Sequence, residues 1–400
     1  MYAIVTRANT PSVSDRAAEK RLLLACTRTR VTEKTIQEIQ SLVEGDLDWS
    51  AVIDAAANHG VLPLVGHHLL TLCSGKVPNE WRMRLQNELE VVKRRNLYLA
   101  AEMLRLSGLF RVKGLMVIPY KGPLLASQAY GDFALRQFAD LDFAVRQNEL
   151  PRAAELLSSE GYEAVFGKTD SDEGLRPTRS EYQFRRAEGQ AIVELQTETT
   201  LRYFPHPLNL NEMSKRLTTV KLGGMELLVF SPEDTFILLA VHGAKHFWER
   251  LMWIADIGEL SQAATGMAWP ELFLRASGMG VGRMVRLALC LTNQMLETPL
   301  PEEVLERAQG DAVAVRLAIE TCRRFTLEYA PIPVFQRFRF RVATREKLSD
   351  GVRYALRLAT SPTDPDRADL PLPVGISGAH RWLRPFLLMK RYGIRGPKSR

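Results

Sequence analysis

Apolar residues recur at helical spacing through the first part of the chain, break into short strand-like runs in the middle, and return to helical spacing after Ser231. Leu22, Leu23, Leu24 and Cys26 mark a first helix, Ile36, Ile39 and Leu42 a second, and Trp49, Val52, Ile53, Ala56 and Ala57 a third. Gly60 closes that third segment, and Pro63 suits the first turn of a fourth helix reaching Cys73. Pro78 opens a long segment through Leu109 in which Trp81, Leu85, Leu89, Val92, Leu97, Leu99, Leu104 and Leu109 form an apolar stripe. Beside it, Arg82, Arg84, Lys93, Arg94 and Arg95 read as a solvated basic face more readily than as a nucleic-acid contact.

After Gly114 the period changes. Leu115 to Ile118 predicts a buried strand that ends in the turn Pro119-Tyr120-Lys121-Gly122. Helical spacing resumes from Pro123 to Ala129 and stops at Gly131; a strand follows at about residues 138 to 145, a helix over Glu149 to Ser158, and a strand over Tyr162 to Phe166. The polar stretch Lys168 to Ser180 predicts a surface loop, and Tyr182–Arg186 with Ala191–Leu195 predicts a hairpin around Glu188-Gly189-Gln190. Ser231, Pro232 and Asp234 form a helix start. The run HGAKHFWERLMWIAD then sets His242, His246, Glu249, Trp253 and Asp256 on one helical side, with further helices about Trp269–Ala276, Val281–Leu296, Pro301–Gln309 and Val313–Tyr329. The Pro-rich stretch Ser361 to Gly378 predicts an extended segment before a basic, amphipathic C-terminal helix, whose docking on the body outweighs attachment to a membrane surface. The division predicted is a helical region over 1–109, an α+β core over 110–230, a second helical region over 231–360, and a linker with its terminal helix over 361–400.

Composition narrows the class. An apolar fraction of 46% with 25% charged residues describes a globular chain with ample core. The excess of +7 suits a phosphate-bearing substrate without requiring one. Cys26, Cys73, Cys290 and Cys322 stand far apart with no CxxC pair, as expected of reduced core thiols in a cytoplasmic protein. The run Leu22 to Cys26 is too short for the apolar core of a signal peptide, and no run approaches the length of a membrane span.

The chemistry concentrates at Asp140-Leu141-Asp142, two carboxylates in an apolar run between Phe138 and Val145. Strand alternation points both to one face, where like charges persist only if solvated or neutralised by cations. From these residues alone, a solvated strand end explains the pair as well as cation binding does. Glu194, among Ile192, Val193 and Leu195, is a third strand-borne carboxylate. Other chemistries are excluded by their missing motifs. His242 and His246 lack the glutamate of a zinc hydrolase, since Gly243 follows the first histidine; Gly-x-Ser-x-Gly and GxxxxGK[ST] do not occur.

Taken together, Lys121-Gly122, Arg136, Asp140, Asp142 and Glu194 resemble the uncharacterised bacterial nucleotidyltransferase family, a branch of the polymerase-beta-like nucleotidyltransferase superfamily. The resemblance extends to LDWSAVIDAAANHGVLPLV, VHGAKHFWERLMWIADI and the DLPLPVG segment through Arg384-Pro385. It implies an α+β fold, a small mixed-sheet nucleotidyltransferase core with large helical N- and C-terminal regions. It also implies Mg²⁺ (or Mn²⁺) held by Asp140, Asp142 and Glu194, with Glu194 helping to deprotonate an acceptor hydroxyl. The substrate implied is an NTP, with Lys121 and Arg136 at its phosphates and Gly122 giving close backbone approach. Two departures stand out: Lys121-Gly122-Pro123 replaces the superfamily's Gly-Ser turn, and Gln196 stands where family members often carry histidine. The acceptor (small molecule, sugar, RNA or protein) stays open, as do a catalytically silent binding module and a toxin-like enzyme acting on tRNA or protein.

Overall fold

The computed structural model describes residues 16–165, 181–186, 191–197, 210–328 and 331–360, together with a few positions beyond 360. The expected loop over 168–180, the hairpin turn over 188–190, the Pro-rich stretch and most of the terminal segment lie outside the described residues.

Four helices open the chain: α1 (Ala17–Cys26), α2 (Glu33–Val43), α3 (Trp49–Asn58) and α4 (Leu62–Leu72). Thr32 and Asp48 cap α2 and α3 by accepting from the backbone N–H groups of Thr35 and Ala51. A 34-residue helix, α5 (Asn79–Val112), leads to β1 (Val117–Pro119). The short α6 (Gly122–Leu125) runs into a π-helical turn, Ala126–Tyr130, which ends at Gly131 in the left-handed conformation. Then come β2 (Leu141–Val145), α7 (Leu150–Ser159), β3 (Tyr162–Ala164), β4 (Glu181–Arg186) and β5 (Ile192–Gln196). After α8 (Leu210–Met213), a hairpin of β6 (Thr218–Leu222) and β7 (Met225–Val229) turns at Gly223-Gly224. The helices that follow are α9 (Pro232–Lys245), α10 (Leu251–Ala263), α11 (Trp269–Gly278), α12 (Gly282–Leu296), α13 (Glu302–Gln309), α14 (Ala312–Arg324), α15 (Val334–Ala343) and α16 (Leu348–Thr360).

The five-stranded sheet has the order β1-β2-β5-β4-β3, with β2 and β5 parallel and every other pairing antiparallel. The mixed α+β architecture expected from the sequence is the one observed. Alternation gives the sheet two chemically distinct faces. Leu141, Phe143 and Val145, with Val193, Leu195, Tyr182 and Phe184, pack against Leu99, Met103, Leu106 and Phe110 of α5 and Leu150, Ala153 and Leu157 of α7. The other face carries Asp142, Glu194, Gln196 and Gln183, and looks toward the helical side of the molecule. There, α1–α4 and α9–α14 share one apolar core, although they lie on opposite sides of the strands in sequence.

The run HGAKHFWERLMWIAD does not form the single helix its periodicity predicts. Its first helix stops at Lys245, Phe247 and Trp248 take left-handed φ of 59° and 54°, and α10 begins at Leu251. The backbone N–H of Trp248 donates to the Gly243 carbonyl at 2.9 Å and that of Phe247 to Ala244 at 3.2 Å, the pairing of a Schellman closure. The indole of Trp248 folds back onto Gly243, where a Cβ would stand 2.4 Å from the ring. Tertiary packing of a buried tryptophan therefore overrides helical periodicity at this corner.

Gly243→Ala should force the Trp248 ring out of its seat and cost about 1–3 kcal/mol as an overpacking change. Urea unfolding followed by near-UV circular dichroism measures it; a midpoint identical to wild type would mean that the corner does not depend on this contact.

Candidate functional site

The polar sheet face and the α9–α10 corner enclose an open cleft of about 540 Å³, and Lys121, Gly122, Arg136, Asp140, Asp142 and Glu194 all line it. The parallel pairing of β2 with β5 sets Asp142 directly opposite Glu194. Asp140 stands one residue before β2 begins, not inside the strand as its sequence context suggests. There it reaches the cleft from the strand entrance, where the ladder ends.

Amide groups separate the carboxylates. Gln196 Nε2 donates to Asp142 Oδ1 at 2.9 Å and to Glu194 Oε2 at 3.1 Å, while Gln183 Nε2 donates to the other Glu194 oxygen at 2.6 Å. The Tyr120 hydroxyl donates to Gln196 Oε1 and so fixes the orientation of that amide. Lys121 has φ 57° and ψ −151°, a region that strongly favours glycine and costs roughly 1–3 kcal/mol for other residues. This backbone carries its Nζ over the Tyr120 ring, 4.8 Å from the centroid, to within 3.4 Å of Asp142 Oδ1. Gly122 follows at φ 44°, where any side chain would be strained.

Arg136 was expected at phosphate oxygens. Instead its Nε and Nη2 donate to the two carboxylate oxygens of Asp256 at 2.7 and 2.9 Å, a buried bidentate pair that the Tyr130 hydroxyl joins at 2.8 Å. Across the cleft, the rings of His242, His246 and Trp253 lie against one another, and Lys245 pairs with Glu181 of β4.

The electrostatics follow from burial and crowding. Desolvation, then the charges of Asp142 and Glu194, push the Asp140 carboxyl up to about 6. Desolvation and Asp142 also raise Glu194, and Gln183 opposes them through its hydrogen bond. Burial, then the nearby Lys121 ammonium, hold His242 well below the ordinary imidazole range, while burial and Lys245 bring His246 down to about 4. Among the described residues no group of three or more His, Cys, Asp and Glu side chains stands in metal-holding geometry. The amide of Gln196 stands between two of the three carboxylates. In kind, however, the donors suit a hard cation: all are oxygens, and two of the acids are destabilised by negative charge that a divalent ion would cancel.

The sequence profile described as an uncharacterised nucleotidyltransferase matches residues 45–297, more than half the chain and every residue that lines the cleft. The chain belongs to the uncharacterised nucleotidyltransferase family. Among solved structures, it is similar to the crystal structure of an antigenic nucleotidyltransferase-like protein from Paracoccidioides brasiliensis, with 17% identity and a TM-score of 0.32, covering 54% of this chain and 92% of that one. No curated protein matches the chain at a significant level. Among the described residues, no helix is long and apolar enough to cross a membrane.

For this family member, sequence reasoning missed Tyr120 at the cleft and Gln183 behind Glu194, and treated His242, His246 and Trp253 as features of a helix rather than of a wall. Gln183 carried a usable signal, since it alternates with the apolar Tyr182 and Phe184 on a predicted strand. Nothing in the sequence pointed from Arg136 to Asp256.

Two stability measurements follow from the site. Arg136→Ala leaves Asp256 as a buried, uncompensated charge and should cost about 3–5 kcal/mol in urea unfolding, with Arg136→Lys failing to restore the bidentate pair. Asp140 has the reverse effect. Its folded-state pKa exceeds the unfolded value, so wild type loses stability as pH rises from about 4 to about 6 and carries a constant deficit above that. Asp140→Asn should therefore be more stable than wild type at pH 7 by on the order of 1–3 kcal/mol. That gain should vanish below about pH 4, the ordinary carboxylate range; unfolding curves across this range in chelator check the sign.

Proposed function

We propose that the cleft binds a nucleoside triphosphate together with Mg²⁺ (or Mn²⁺) and transfers its nucleotidyl group to a hydroxyl acceptor. The observation that carries this reading is the β2–β5 register, which sets Asp142 opposite Glu194 in one cleft with Asp140 and Lys121. Asp140, Asp142 and Glu194 would hold the cation once Gln196 turns aside. When bound, such an ion neutralises phosphate charge and orients the reacting oxygens.

The remaining work falls to the chain itself. Lys121, brought to the carboxylate edge by its unusual backbone, supplies a positive charge for the phosphates. Glu194, whose carboxyl burial and Asp142 raise, would accept the proton of the incoming hydroxyl. That oxygen forms a bond to the α-phosphorus, pyrophosphate leaves, and the hydroxyl proton passes to the carboxylate. Arg136 acts at one remove, bracing the loop that presents Asp140. A small molecule, a sugar, an RNA end and a protein hydroxyl, including the tRNA or protein target of a toxin-like enzyme, all satisfy this chemistry as acceptors.

One observation favours a catalytically silent nucleotide binder on the same fold, namely the Gln196 amide bridging Asp142 and Glu194. Titration calorimetry with Mg²⁺ and each NTP, followed by transfer of α-labelled nucleotide to acceptors in cell extract, separates the two. Wild type should bind at least one NTP and label an acceptor, and Asp142→Ala should lose the labelling. Binding without any Asp142-dependent transfer supports the silent binder, and no binding to wild type overturns both readings.

A further inference from the structure

We propose that His242, His246 and Trp253 form the nucleobase subsite of the cleft, stacking the uncharged aromatic end of a nucleotide and holding purines more tightly than pyrimidines. The inference rests on the nucleotide-binding reading above and extends it to the opposite wall. The three rings are half-buried and line the cleft. Their centroids lie 4.7 Å apart for His242 and His246, 5.6 Å for His242 and Trp253, and 5.1 Å for His246 and Trp253, the last pair tilted by only 33°. The other two pairs are inclined by 52° and 83°, so the rings line the cavity as a faceted aromatic wall, each offering its own exposed face or edge.

The wall is aromatic without being cationic. Burial and the ammonium groups of Lys121 and Lys245 keep both imidazoles unprotonated near neutral pH, so neither offers phosphate a positive charge. No hydrogen bond among the described residues engages their ring nitrogens, which leaves donors and acceptors for the edge of a base. The sheet side opposite has the complementary character, with carboxylates and the Lys121 ammonium, and its two aromatic residues, Tyr120 and Phe138, are buried. A ligand matching both walls is charged at one end and flat and neutral at the other, and the cleft volume lies within the range of small-molecule sites. Purines, having the larger ring face, bury more area against whichever ring of this wall they meet.

Calorimetric titration of wild type with ATP, CTP and inorganic tripolyphosphate, each with Mg²⁺, tests the assignment. ATP should bind on the order of tenfold to a hundredfold more tightly than tripolyphosphate, with CTP between them. Trp253→Ala should abolish the preference and leave tripolyphosphate affinity unchanged, whereas Trp253→Phe should keep most of it. If circular dichroism shows Trp253→Ala unfolded, His246→Leu supports the same comparison. Equal affinity of wild type for ATP and tripolyphosphate, or a folded Trp253→Ala that keeps the preference, overturns the base subsite and leaves the phosphate and cation reading standing. Equal affinity for ATP and CTP overturns the purine preference, and failure of wild type to bind any of the three overturns both readings.

Discussion

A single carboxylate on α10 joins the strand side of the molecule to its helical side. Asp256 accepts from Arg136, two residues before Phe138 on the approach to β2, and from Tyr130 at the end of the π-helical turn. Removing an ion pair from water costs about as much as the pairing returns, so its contribution is to geometry more than to stability. It fixes how far the loop bearing Asp140 stands from the helices, and so the width of the cleft. A hydrophobic contact in its place would hold the two halves together without specifying the angle between them.

Inside the cleft the dominant problem is excess negative charge in a poorly solvated space. Around Asp142 and Glu194 the protein manages it with neutral donors and the Lys121 ammonium. Gln196 and Gln183 supply amide hydrogens to Asp142 and Glu194, Tyr120 locks the Gln196 amide, and Lys121 adopts a strained backbone that keeps its ammonium beside Asp142. The compensation is incomplete, as the upward displacement of Asp140 and Glu194 shows. Raised acids of this kind, crowded in one cleft, are the feature on which the proposed chemistry rests.

The far wall solves a different problem. Ending α9 at Lys245 and reversing the chain through Phe247 and Trp248 lets His246 and Trp253, which belong to separate elements, lie ring against ring. A continuous helix would carry the same residues on one side but at fixed helical spacing, without the near-parallel overlap seen here. Gly243 makes the reversal achievable by giving the Trp248 indole a place to lie.

Much of this was legible from the amino-acid order. The helices from Leu22 to Leu109, the strand ending at the Lys121-Gly122 turn, the acidic strand, the hairpin partner bearing Glu194 and the Ser231 helix start all follow from local periodicity and capping. Those properties depend on residues a few positions apart. The six candidate residues named from the sequence do share a cleft; pleat alternation explains this for Asp142 and Glu194, while Lys121, Gly122, Arg136 and Asp140 reach it from the turn and loop beside the sheet. What remained hidden depended on residues far apart in the chain: the register that sets Asp142 against Glu194, the capture of Arg136 by Asp256, the Gln196 bridge, and the break at Trp248. Local pattern determines which face of an element is apolar. Only the packed structure decides which polar groups meet across the cleft, since that choice is made by distances that no sequence spacing encodes.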